Sequence, residues 1–210
     1  MFPTFTKENL PGFYDRLASK DNHLKAIIKQ YGYPPLWVRP NTFETLVLTI
    51  LEQQVSLASA YSAYKKLKEK IKITPNNLLQ LSDEELRNCY LSRQKIVYTR
   101  ELANAIISKK ISLKKFETLP DEVVRNELKA LKGIGDWTVD IYLLHALRRM
   151  DIFPVGDLAL VNSIKMVTQL PLETRQDLIN LSNKWQPYRS IATMLFWHYY
   201  IKKKNLNILH

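Results

Sequence analysis

Apolar residues recur along this chain every three to four positions, the spacing that lines one face of an α-helix, and no segment alternates apolar and polar residues convincingly in the two-residue rhythm of a strand. Residues 3–33 carry two short amphipathic helices, the second starting near Asp21. Pro34-Pro35-Leu36-Trp37 interrupts them as an extended connector, because each proline fixes its own φ and pushes its predecessor out of the helical region. Phe43, Leu46, Val47, Ile50 and Leu51 then mark one helix face, and a further helix fits residues 58–70. Thr74-Pro75 reads as a helix start with proline in the first turn, and Ser82 with Glu85 as a capping box. Amphipathic patterns follow over residues 93–108 and 121–131. Beyond Gly133 and Gly135 the pattern resumes over residues 137–150, 158–168, 175–185 and 188–203. About ten helices joined by short loops predict an all-α bundle. Neither an internal repeat nor a long linker divides the sequence.

Composition narrows the function. At 210 residues with 46% hydrophobic residues, the chain can bury a sizeable core as one large domain or two small lobes, which excludes a disordered tail-like protein. Lys and Arg number 31 against 20 Asp and Glu, a formal charge of +11 that favours a polyanionic partner. The runs Lys65, Lys66, Lys68, Lys70, Lys72 and Lys202, Lys203, Lys204 are more often solvated faces than binding sites. Cys89 is the single cysteine, which rules out a disulfide framework, a thiolate zinc site and a four-cysteine iron–sulfur cluster. His23, His145, His198 and His210 are too widely spaced for a local metal motif. No apolar run reaches membrane length and no signal-peptide pattern opens the sequence, so a soluble intracellular protein is expected.

The strongest chemical signal is Leu131-Lys132-Gly133-Ile134-Gly135-Asp136-Trp137-Thr138. Two glycines one residue apart allow a tight turn and close backbone approach, with Leu131 and Ile134 as apolar pegs. A helix opening at Trp137 presents N–H groups and a positive end, a seat for phosphate on a basic protein. Local spacing alone also fits an ordinary helix–loop–helix corner with a glycine C-cap. Phe153-Pro154-Val155-Gly156-Asp157 follows a short helix later. Asp157 suits a helix N-cap, and its charge there also suits stabilising a cationic transition state or orienting a water. Trp137 and Trp197, with Tyr142, Tyr188, Tyr199 and Tyr200 close to them in sequence, fit either a core or a slot for an extruded base. An electron-rich slot would attract a positively charged ring by about 0.5–2 kcal/mol per contact.

In this order, these motifs resemble the helix–hairpin–helix DNA glycosylases, most closely the alkylated-base (3-methyladenine) branch. The resemblance runs from residue 34 to residue 200. It takes in Pro34-Pro35-Leu36-Trp37, Phe43-Glu44-Thr45-Leu46-Val47, Ile50-Leu51-Glu52-Gln53-Gln54-Val55-Ser56, Gly133 to Thr138, Asp157, and Trp185-Gln186-Pro187-Tyr188-Arg189-Ser190. It implies one all-α glycosylase domain of two helical lobes, a middle lobe over about 42–150 and a terminal lobe from residues 1–41 plus 151–210, with the active site in the cleft between them. Asp157 matches the catalytic aspartate, and Trp137, Trp197, Trp37 and Tyr142 are the implied base-pocket residues. Gln54 stands where relatives fill the gap left by the extruded nucleotide, and Gly133, Ile134, Gly135, Thr138 and Arg189 where they contact DNA. The carbonyls of Lys129, Leu131 and Ile134 match those that offer a monovalent cation a bridge to phosphate, with no other cofactor and no iron–sulfur cluster implied. Relatives that also cut the strand carry a Schiff-base lysine just after the hairpin. Here Trp137 holds that position and cannot form an imine, so a monofunctional enzyme is implied.

Two departures stand out. Val155-Gly156 replaces the commoner Gly-Pro before the aspartate, and Ile141 replaces an aromatic that at least one relative uses in its pocket. At this length a minimal version without the extra N-terminal β domain of some relatives is expected. The expected partner is damaged double-stranded DNA, bound by a monomer in a prokaryotic cytoplasm with its nucleoid or in a eukaryotic nucleus, without membrane association. Three other functions fit part of the pattern. A non-catalytic DNA-binding repair module would keep the hairpin but needs neither Asp157 nor the aromatic pair. A basic all-α structural or RNA-binding protein would lack reason for the hairpin, and no strand-borne aromatic pattern supports it. Within the enzymes, deaminated or oxidised purines are the alternative substrates.

Overall fold

The structure, a computed structural model, describes residues 4–206; Pro3, where the first expected helix begins, and His210 lie outside them. Among the described residues the helices are α1 (Leu10–Ala18), α2 (Asn22–Tyr31), α3 (Phe43–Glu52), α4 (Leu57–Lys70), α5 (Pro75–Gln80), α6 (Asp83–Asn88) and α7 (Arg93–Ile107). There follow α8 (Leu113–Phe116), α9 (Asp121–Lys129), α10 (Asp136–His145), α11 (Leu158–Thr168), α12 (Arg175–Ser182), a 3₁₀ turn at Asn183–Trp185, and α13 (Arg189–Lys203). Thr4 and Arg149 form an isolated β-bridge, and the described residues contain no strand. The all-α class is as the periodicity predicts. The chain divides into two units, one of Arg39–Tyr142 and one joining the residues up to Val38 to those from Leu143 onward.

In the first unit α3 is apolar around almost its whole circumference, and every residue from Phe43 to Glu52 except Glu44 is buried, so it forms the centre. α4 and α7 pack on it. The one carboxylate in this helix core, Glu52, is forked by Arg39, at 2.6 and 2.8 Å, so its charge is paired where water is excluded. The turns are set locally by side-chain caps. Thr42, Ser56, Thr74 and Ser92 each accept an N–H of the first turn of α3, α4, α5 and α7. Ser82 and Glu85 form the reciprocal capping box at α6.

In the second unit α13 takes the central place, with Ser190 to His198 all buried, and packs on α1, α2 and α11. Asp21 shows how its ends are tied. Its carboxylate caps α2 through the N–H groups of His23 and Leu24, accepts the indole N–H of buried Trp185 at 2.8 Å, and pairs with Lys184 at 2.9 Å. Burial works against its charge, but Lys184, Trp185 and the α2 amides together hold its carboxyl below the usual range.

The helix expected over residues 137–150 ends earlier, at His145. Arg148 turns left-handed (φ 54°) and the Arg149 N–H reaches back to the Leu143 carbonyl at 3.0 Å, which closes the turn without glycine or proline. The helix expected to run to residue 185 likewise ends at Ser182 and tightens into the 3₁₀ turn.

Candidate active site

Asp157 is the N-cap of α11, with extended backbone (φ −83°, ψ 116°) and its Oδ1 accepting the Leu160 N–H at 2.8 Å. The same oxygen accepts the indole Nε1–H of Trp197 at 2.9 Å. These two N–H donors fix the direction of the carboxylate at the start of the helix. The loop that delivers it is anchored one helix away. Ser190 at the start of α13 donates to the Arg149 carbonyl (2.6 Å) and accepts the Ile152 N–H (2.9 Å), while Arg189 forks Asp151. Trp197 follows Ser190 by seven residues, two helical turns, so one face of α13 holds the loop at its start and its aspartate at its end.

Trp197 is itself supported. Its ring stacks on His145, with centroids 5.4 Å apart and planes within 11°. His145 Nδ1 lies 2.8 Å from the Trp37 carbonyl, which can only accept, so Nδ1 carries the hydrogen. The half-buried Trp37 ring faces His198 at 6.3 Å, and His198 Nε2 donates to the Tyr31 carbonyl at 3.1 Å. Burial first, then Lys202, pushes the His198 pKa down, against the Tyr31 carbonyl. The structure thus brings Asp157, Trp197 and Trp37 together in the second unit, with His145 as the link among them that the sequence pattern did not single out. The available signal was its place in the Trp137 helix, eight residues on, the i, i+4, i+8 spacing of one face.

The hairpin lies in the first unit. Gly133 adopts φ 86°, and a Cβ there would sit 2.1 Å from Cγ of the Tyr98 ring, so the glycine is required both by its conformation and by close packing on α7. Gly135 is exposed and needs no such conformation. Ile134 is buried as an apolar peg beside Leu131, and its N–H closes the turn on the Leu131 carbonyl at 3.2 Å. Lys129 and Asp136 pair across the hairpin at 2.6 Å, both about half exposed. Trp137 is half-buried in the first turn of α10, and Gln54 is exposed in the loop between α3 and α4 with a left-handed backbone (φ 56°).

Three of the expected site residues have partners within the protein. Tyr142 is fully buried, donates its hydroxyl to Asn41 and packs edge-on against Phe116 in the core of the first unit. Thr138 does not offer its side chain to DNA, because it is buried and its hydroxyl accepts from Gln53 at 2.9 Å. Arg189 spends its guanidinium on Asp151, which makes it a loop anchor.

A carboxylate capping a helix under a tryptophan N–H, together with a glycine hairpin, can be placed by comparison with known proteins. Residues 47–187 match the model of the HhH-GPD superfamily of base excision DNA repair proteins. The chain belongs to this superfamily. Among its similar relatives, Bacillus subtilis YfjP is 29% identical over 184 residues, a match that covers 83% of this chain and 64% of YfjP. The chain therefore spans just under two thirds of that relative's length. DNA-3-methyladenine glycosylase 1 of Schizosaccharomyces pombe is 28% identical over 190 residues, 86% of this chain and 83% of the relative. The solved Schizosaccharomyces pombe 3-methyladenine DNA glycosylase Mag1, in complex with abasic DNA, superposes with a TM-score of 0.83 at 27% identity, covering 89% of this chain and 95% of that one. The HhH-GPD match begins within α3 and ends before α13, so Trp197 lies beyond it although it touches Asp157.

Proposed function

We propose that this chain is a monofunctional DNA glycosylase of base excision repair that removes alkylated purines such as 3-methyladenine by hydrolysing the N-glycosidic bond. The observation that carries this is the Asp157 carboxylate held at the start of α11 by the Leu160 amide and the Trp197 indole. Membership of the HhH-GPD superfamily and relatives named for 3-methyladenine supply the context.

The reaction follows from the charge on the base. Alkylation at a ring nitrogen makes many purines cationic, so the C1′–N bond breaks with the electron pair leaving on a base that becomes neutral, and no strong general acid is required. The sugar left behind is oxocarbenium-like. Asp157 stabilises that positive charge and orients the water whose oxygen bonds to C1′ and whose proton leaves to solvent. The hairpin and basic side chains grip the DNA backbone, and Gln54 enters the stack as the nucleotide leaves, at a cost of a few kcal/mol that is smaller for a weakened pair. Trp197, held against Asp157 and His145, is the proposed wall of the base slot. With Trp137 in place of an imine-forming lysine, the product is an intact strand with an abasic site. The carbonyls of Lys129, Leu131 and Ile134 are neutral oxygen donors of the type a monovalent cation takes. Leu131 keeps a second lone pair beyond its bond to Ile134, so these carbonyls would be able to hold such an ion, whose charge would favour a phosphate nearby.

Incubation with duplex DNA treated with a methylating agent, followed by analysis of the free bases, tests the proposal. Methylated purines are expected in the supernatant, and strand breaks only after alkali. Breaks without alkali, or free bases that are deaminated or oxidised purines alone, would overturn it.

A further inference from the structure

The loop between α3 and α4 carries Gln54 at its exposed crest, beside Val55 at 45% exposure. Gln54, just past the end of α3, holds a left-handed backbone conformation (φ 56°) that is uncommon for a non-glycine residue. Three contacts frame the loop around it. Lys95, in the first turn of α7, donates Nζ to the Leu51 carbonyl at 2.6 Å and so closes the C-terminal end of α3. Ser56 caps α4 on the far side. Between them Gln53 extends its carboxamide across to the hairpin, where Nε2 donates to the Gly133 carbonyl and to the Thr138 hydroxyl, both at 2.9 Å. The two N–H bonds of one amide group are both used, one on each side of the glycine turn. Tyr98, a turn beyond Lys95 on α7, packs under Gly133 itself, so one helix supports both the loop and the hairpin.

We propose that Gln53 is a positioning residue that ties the Gln54 loop to the DNA-gripping hairpin, so that backbone capture at the hairpin sets where Gln54 enters the duplex. This rests on the glycosylase function above for the role of Gln54. Loss of the carboxamide leaves the hairpin intact on Tyr98 but releases residues 53–56, so backbone binding survives while insertion becomes inefficient.

The test uses the full chain and a duplex with a tetrahydrofuran abasic analogue flanked by 2-aminopurine, whose fluorescence reports unstacking. For Gln53→Ala, affinity for undamaged duplex is expected within about twofold of wild type, the fluorescence change to fall at least about fivefold, and amide hydrogen exchange at residues 54–56 to accelerate in the free protein. Thr138→Val removes one acceptor at constant shape and is expected to show a partial loss that Thr138→Ser restores. Wild-type fluorescence in Gln53→Ala, unchanged exchange, or equal defects in Thr138→Val and Thr138→Ser would overturn the clamp. Should wild type itself give no fluorescence change, base extrusion and the glycosylase function fail together, and the exchange experiment still decides whether the clamp exists.

Discussion

Two N–H groups of different origin hold Asp157, and only one of them can be removed by substitution. The Leu160 amide belongs to the backbone, whereas the Trp197 indole can be replaced by a phenyl ring that still packs against His145. A hydrogen bond to a charged group contributes about 1.5–3 kcal/mol, so Trp197→Phe is expected to slow base release about tenfold to a hundredfold. Affinity for abasic DNA should change little. Single-turnover kinetics on methylated duplex check this, and an unaltered rate would show that the indole does not position the carboxylate. Asp157 and Trp197 were legible in the sequence because a helix-breaking loop and a resemblance mark them. His145 and Gln53 were not, since their contacts join residues more than 40 positions apart. Tyr142 and Thr138 illustrate the converse. Both sit in an aromatic, hairpin-adjacent helix, but which of its faces is buried depends on Asn41, Phe116 and Gln53, which no local pattern connects to it.

At the scale of elements, the hairpin joining α9 to α10 carries an internal ion pair at the helix start where phosphate is expected. Lys129 and Asp136 face each other there in partial exposure, and a phosphate approaching the amides meets the Asp136 charge as well. Asp136→Asn is therefore expected to tighten binding to undamaged duplex. By releasing Lys129 for a phosphate, it should steepen the slope of log affinity against log salt by about 0.9. Measurement of the affinity over a range of salt concentrations decides this; an unchanged slope would mean that Lys129 stays out of the interface. The elements themselves were largely readable from periodicity and caps. The early end of α10 was not, because its terminator is Arg148 in a left-handed turn, a residue type that gives no punctuation in sequence. The four-residue α8 is too short for any period to register.

At the scale of the molecule, the second unit joins the residues up to Val38 to those from Leu143 onward, so its stability depends on α13 meeting α2 from far along the sequence. His198 sits at that junction, donating from α13 to the last residue of α2. Burial holds its pKa below the ordinary 6.5, so on acidification the unfolded chain takes up a proton that the folded one refuses. Stability should be independent of this group above about pH 7.5 and fall as pH drops below 6.5, at up to about 1.4 kcal/mol per pH unit. Urea unfolding between about pH 5.5 and 7.5 is expected to show that slope in wild type and a flatter one in His198→Gln; identical slopes would remove His198 as its source. The charge of +11 acts over the same scale, steering the protein to a polyanion before any residue-level contact forms.

The measurement that bears most directly on the central claim is single-turnover release of 3-methyladenine from methylated duplex by wild type and Asp157→Asn, with the protein saturating and DNA binding measured alongside. The substitution keeps the size of the side chain and an oxygen for the Leu160 and Trp197 donors, and removes the charge. Release is expected to fall about a hundredfold or more at unchanged DNA affinity. Release by Asp157→Asn at the wild-type rate would contradict the assignment of this carboxylate as the group that stabilises the departing sugar.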